Sequence, residues 1–159
     1  MCVLETVAHK LAVHGAGLQA GGAGRPELSP CDVAGMLAGL GPGPVALAYA
    51  KFTLDDQAGR QLYAVLHVEL AGMAARERWE IPRGSRWLEY LARMARDDLV
   101  LPRPRMSERA AAAWMSAHAP LSRRAWREAW RPRHGRLLEQ GAVWEWELRR
   151  KLGRELHAA

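Results

Sequence analysis

Leu62, Leu66, Leu70 and Met73 return every three or four residues, with Val65 and Val68 beside them, and that period predicts a long amphipathic helix at the centre of a core. The same period places Trp87, Leu88, Leu91 and Met94 on the inner face of a second helix, "RWLEYLARMARDD", capped by Ser85. Upstream, "SPCD" at 29–32 offers a capping serine, a proline at the first helical position and an acid in the first turn, so a helix begins there and stops near Gly41. "GPGP" at 41–44 reads as a turn and "VALAYAKF" after it as a short buried helix, with Thr53 or Asp55 capping the next. Nowhere do polar and apolar residues alternate as a strand requires. The pattern predicts an all-α fold, a compact multi-helix domain.

Further along, "LVLPRPR" at 99–105 reads as an extended linker, because each proline denies its predecessor the helical region. Ser107 caps "ERAAAAWMSAHA", Pro120 ends it, and Ser122 caps "RRAWREAW". Helix, short turn and helix together give a helix-turn-helix outline near the C-terminus. At about 100° per residue, Arg124, Arg127 and Arg131 share one arc while Ala125, Trp126, Ala129 and Trp130 cover the opposite side. Pro132 is expected to end or kink this helix. A closing helix at 142–157 then turns Trp144, Leu148, Leu152 and Leu156 inward and Trp146 outward, where arginine stems half-cover it or, as the less common alternative, a protein partner meets it. Two regions result: an N-terminal segment with a Gly- and Ala-rich flexible arm at 1–28, and a single helical domain at 29–159. Within the domain, 29–98 forms the body and 106–159 the helix-turn-helix and closing helix.

Charge changes this picture. The net charge is +6, yet residues 1–100 carry 10 Lys+Arg against 11 Asp+Glu, while residues 101–159 carry 13 against 6. The positive excess therefore lies in the C-terminal third, as expected where one face of a domain meets a polyanion. Arg123 and Arg124 occupy a first helical turn, the unfavourable end for cations in the helix dipole, and a phosphate or guanine partner would reward them there. Arg103, Arg105 and Arg109 are placed to clamp phosphates alongside, and Arg133 to add a backbone contact. The candidate DNA-binding set is thus Ser122, Arg123, Arg124, Arg127, Arg131, Arg103, Arg105, Arg109 and Arg133. A solubilising arginine surface is the plainer reading of the same residues.

Other chemistries find little support. Cys2 and Cys31 are too few for a disulfide framework and form no CxxC pair, so neither a metal nor any other cofactor is expected. The six histidines lack HExxH spacing, and GxSxG and phosphate-cradling glycine loops are missing, so no catalytic site is expected and the chain reads as a non-enzyme. Apolar runs are broken by Gly and Pro well short of the roughly 20 residues of a membrane span. The N-terminal stretch does not read as a secretory signal, and a cytoplasmic location is expected.

Three segments in order carry a resemblance to a known family. They are "LETVAHK", then "LSPCDVAGMLAGL" with "GPVALAYAKFTLDDQAGRQLYAVLHVELAGMA", then "MSERAAAAWMSAHAPLSRRAWREAWRPRHGRLLEQ". In that collinear arrangement the chain resembles the antiterminator Q proteins of lambdoid bacteriophages, on the lambda Q branch. That branch carries two CxxC-type pairs holding zinc before the Ala-rich helix, whereas here "LVLPRPRM" occupies the space and tryptophan packing must fix the geometry.

The resemblance implies a late-gene regulator that binds double-stranded DNA near the late promoter and engages bacterial RNA polymerase paused there with its sigma factor. It further implies contact with the flap region by the RNA exit channel, often with NusA, and transcription through downstream terminators. Two alternatives stand beside it: a helix-turn-helix regulator or DNA-packaging recognition subunit without antitermination activity, and a phage inhibitor of an acidic host protein.

Overall fold

A computed structural model of the chain describes residues 30–53, 56–101, 106–119 and 121–158; the arm at 1–28, Ser29, Asp55, Arg103, Arg105 and Pro120 lie outside these ranges. Every regular element among the described residues is a helix, as the periodicity requires. They are α1 (Pro30–Leu37), α2 (Pro42–Thr53), α3 (Asp56–Arg76), α4 (Trp87–Val100), α5 (Glu108–His118) and α6 (Arg123–Ala125). A π-helical segment (Trp126–Trp130) leads from α6 into α7 (Arg131–Ala158). α2 and α4 pack on both α3 and α7, and α5 closes over α4 and the π segment. No helix among the described residues is long and apolar enough to cross a membrane.

Leu62, Leu66 and Leu70 are fully buried and Met73 nearly so, and they meet Leu47, Leu91, Met94, Leu137 and Leu148 in one continuous core. Val68 does not join them. It lies roughly 150° round the helix from the centre of that stripe, and 69% of it is exposed. "GPGP" likewise proves to be a helix entrance rather than a turn: α2 begins at Pro42, because a proline in a first turn forfeits only an N–H that would have no helical partner. The turn falls earlier, at Gly39, whose φ of +83° suits glycine. Gly43 is needed for another reason. A Cβ there would stand 2.2 Å from the Trp144 ring, so α2 and α7 touch through the missing side chain.

Ser85 does not cap α4. The preceding position of that helix is Arg86, with no side-chain cap, while the Ser85 N–H closes a turn on the Pro82 carbonyl. Arg86 donates instead to Glu89 at 2.6 Å, an i,i+3 pair across the first turn. α4 also runs two residues past its expected end, to Val100, and the extended conformation begins only at Leu101, the residue before a proline. Those two residues are apolar and have somewhere to go: Leu99 packs on Gly141 of α7. The Asp98 side chain is buried in consequence.

The Leu99 contact reverses an ordinary rule. Gly to Ala in a helix interior usually stabilises by about 0.5–1 kcal/mol, and at Gly153, where nothing stands within 4 Å, Gly153→Ala should raise the unfolding midpoint. At Gly141 a Cβ would lie 2.5 Å from Leu99 Cδ2 and 3.3 Å from its Cγ. Overpacking of about 1–3 kcal/mol then outweighs the propensity gain, and Gly141→Ala should lower the midpoint in the same denaturant titration.

Serine caps at the next two helices hold as expected. Ser107 Oγ accepts from the Ala110 N–H at 3.2 Å, and Ser122 Oγ from the Ala125 N–H at 3.1 Å. Ala119 is extended, as a residue before proline should be. Pro132, however, neither ends nor sharply divides the last helix, which continues without interruption from Arg123 to Ala158. Its accommodation lies in the π segment. The Arg131 N–H donates to the Trp126 carbonyl five residues back, so the ladder has slipped by one residue before the proline arrives. The wider turn takes the Glu128 carbonyl out of the path of the pyrrolidine ring, which an α-helical register would force against it.

Two ion-pair groups fasten this long helix to the body. Lys51 of α2 reaches Glu145 at 2.8 Å, and Arg149 reaches the same carboxylate at 2.7 Å. Burial raises the Glu145 pKa, but the two donors outweigh it and leave the group below its ordinary value. Arg136 grips Glu77 with both guanidinium nitrogens, and Trp79 Nε1 donates to Glu77 at 2.9 Å. The hydrogen bonds from Arg136 and Trp79 hold Glu77 at a pKa of about 2, against an ordinary 4.5. A depressed carboxyl stabilises the fold above its unfolded pKa and loses that contribution as pH falls through the folded value. Thermal midpoints of the wild type should therefore drop between pH 4.5 and 2 by more than those of Glu77→Gln.

Candidate nucleic-acid interface

α5 and α6 each begin at a serine cap, and the start of α6 lies at the far end of α5, where Ser116 Oγ donates to the Leu121 carbonyl at 2.7 Å. Glu108 and Arg109 stand in the first turn of α5, and Arg123 and Arg124 in that of α6. Between them opens a cleft of about 320 Å³ lined by Glu108, Arg109, Ala112, Arg123, Trp126 and Arg127. The fold thus brings Arg109 beside Arg123 and Arg127, and all three are exposed. Ser122 serves here through its cap, which fixes where α6 begins and so where its first-turn arginines point.

The arc of arginines is exposed but not unopposed. Arg124, 84% exposed, donates to Glu128 at 2.9 Å, an i,i+4 pair along its own helix. Arg131 approaches Glu108 at 2.9 Å, and Arg127 lies 3.9 Å from the same carboxylate. Glu108 therefore draws the far arginines of the π segment and α7 toward the start of α5. Five arginines, at 109, 123, 124, 127 and 131, face two glutamates, a local excess of three positive charges on an exposed surface. Pairs so exposed are each worth about 0–1 kcal/mol and exchange readily for a phosphate.

Arg133 sits apart from this group. Its guanidinium lies 4.1 Å over the Trp79 ring and 4.6 Å over Trp130, in the corner between two nearly perpendicular indoles. Burial lowers its pKa, and Arg136 adds to that, while Glu77 opposes both. Trp130 in turn meets Trp79 and Trp87 edge-on, at 6.1 and 5.0 Å between centroids. Three tryptophans and one arginine thus join α4, α7 and the loop after α3. Sequence periodicity placed Trp130 on the inner face but gave no sign of its partners, which are distant along the chain.

Under the cleft lies an arrangement that spacing alone does not reveal. His134 Nε2 stands 3.4 Å from Asp98 Oδ2, both side chains nearly removed from solvent. A second cavity, of about 320 Å³, adjoins them, bounded by Met106, Trp126 and Leu138 with Glu108 and Arg131 also on its lining. Trp126 is the wall that the two cavities share. The pair links α4 to α7 directly below the arginine face. Trp146, on the side of α7 away from Trp144, is 56% exposed, with the Arg150 guanidinium 4.8 Å over its ring.

Among the described residues, no group of three or more His, Cys, Asp and Glu is arranged to hold a metal ion. Comparison with family models, with curated proteins and with solved structures returns no match to this chain.

Proposed function

We propose that the chain is a phage late-gene antiterminator of the lambda Q kind, loading on duplex DNA through the surface where α5 meets α6. One observation carries this reading: Arg109, Arg123 and Arg127, all exposed, line one cleft where α5 meets α6 and the π segment, with Arg131 brought to its edge by Glu108. Helix starts present unpaired backbone N–H groups, and with flanking guanidinium groups they suit phosphate oxygens. α5, the short turn and α6 would act as a helix-turn-helix unit, with α6 toward the major groove and Arg109 against the backbone. Glu108 and Glu128 hold the arginines extended until DNA replaces them. Loading would bring the protein to RNA polymerase paused near the late promoter, where it stays at the RNA exit channel and opposes terminator hairpins.

Gel retardation on a fragment spanning the cognate phage late promoter tests the DNA step. A preferred site whose affinity falls steeply with salt is expected. Equal retention of unrelated duplexes, or none, would remove the loading step and favour an inhibitor that docks on an acidic host protein.

A further inference from the structure

A second cationic surface lies on the body, made from residues whose segment carries no net positive charge. Arg60 and Tyr63 of α3 face Arg86, Tyr90, Arg93 and Arg96 at α4 across an open cleft of about 200 Å³, with Glu89 its one acid. Positions 86, 89, 90, 93 and 96 fall on a single stripe of α4, turned away from buried Leu91 and Met94. Arg86 is paired with Glu89 and Arg96 with Asp97, whereas Arg60 and Arg93 form no ion pair among the described residues. Burial and Glu89 push the Tyr63 hydroxyl above its ordinary pKa while Arg86, Arg93 and Arg96 pull it down, so three guanidinium groups bear on one hydroxyl.

Aromatic rings continue the cleft. The Arg86 guanidinium lies 5.4 Å over Tyr90. Tyr90 meets Trp114 of α5 edge-on at 5.9 Å and His118 at 5.6 Å, and Trp114 and His118 stack at 4.3 Å with 25° between their planes. The His118 ring is held by a 2.8 Å contact from Nδ1 to the Trp114 carbonyl and is exposed on its outer side. Trp114 and His118 lie on the side of α5 away from Arg109 and Ala112, so this surface and the α5–α6 cleft face different directions.

We infer that this face binds single-stranded nucleic acid, with its phosphates on Arg60, Arg93 and Arg86 and its bases against Tyr90 and the outer face of His118. Cations beside an exposed imidazole and a half-buried tyrosine match a strand whose bases are unstacked and available. A duplex offers phosphates but hides its base faces, and an acidic peptide would use the arginines and leave the rings idle. The inference uses none of the residues proposed to load on duplex DNA, so either reading can fail alone.

Fluorescence anisotropy of the full chain with labelled oligo(U) and oligo(dT) of about 15 nucleotides tests it. Binding at about 50 mM salt is expected, with affinity that falls as salt rises. Arg60→Glu/Arg93→Glu should weaken it at least tenfold and His118→Ala about fivefold or more, with circular dichroism unchanged. Arg123→Glu/Arg127→Glu should leave it within about twofold. Absence of binding overturns the inference. So does equal competition by a duplex of the same length or by polyglutamate, or loss of binding only in the Arg123/Arg127 variant.

Discussion

Replacing Trp130 by alanine should lower the free energy of unfolding by about 3–5 kcal/mol, the range for removing a buried aromatic side chain from a core. The upper part of that range is expected. Trp130 is 2% exposed and supports two edge-on contacts, to Trp79 and Trp87, that each add about 0.5–1.5 kcal/mol beyond area. Its loss also removes one of the two indole rings against the Arg133 guanidinium, leaving that cation on Trp79 alone. Because the joined helices depend on the cluster, the loss should appear as a shift of the whole denaturant transition rather than a local one. A midpoint that moves by less than the equivalent of about 1 kcal/mol would show that the three tryptophans do not hold α7 to the body.

The second large effect is on DNA affinity. Arg123→Glu/Arg127→Glu reverses two of the three arginines lining the α5–α6 cleft, leaving Arg109 facing three acids. At about 1–3 kcal/mol for each arginine, the variant should bind late-promoter DNA at least about 30-fold more weakly. The slope of log affinity against log salt should also fall by about two, one for each phosphate contact removed. Both side chains are exposed, so the thermal midpoint should be almost unchanged. Arg133→Ala should do the reverse: destabilise, through lost indole stacking, while changing the salt slope little.

The features legible in the sequence were those carried by short-range period. Leu62, Leu66 and Leu70, the Ser107 and Ser122 caps, and the buried Trp126 and Trp130 all follow from spacing along one helix. Errors arose where a local rule met a tertiary partner. Pro132 forbids an α-helical register but not a π-helical one, and burial of two indoles four residues apart favours continuing the helix. Leu99 and Val100 extend α4 because Gly141 leaves room for a leucine, a fact held forty residues away.

Charge was the subtler case. Counting over residues 1–100 gave a net of −1 and hid the four arginines that α3 and α4 gather in one cleft. The stripe at 86, 90 and 93 was present in the spacing, although Arg60 could be added to it only by folding. In the C-terminal third the count was right in sum but silent on Glu108, which faces Arg127 and Arg131 across two helices. The exposed arginines of the candidate site were therefore visible beforehand, and their ion-pair partners were not.

Single-round transcription with purified bacterial RNA polymerase, on a template carrying the cognate phage late promoter and a downstream terminator, tests the central proposal most directly. Added protein should carry polymerase through the terminator, and Arg123→Glu/Arg127→Glu should abolish that read-through while folding as the wild type does. Unchanged termination by wild-type protein on DNA that it demonstrably binds would contradict the account and leave a DNA-binding regulator without effect on elongation.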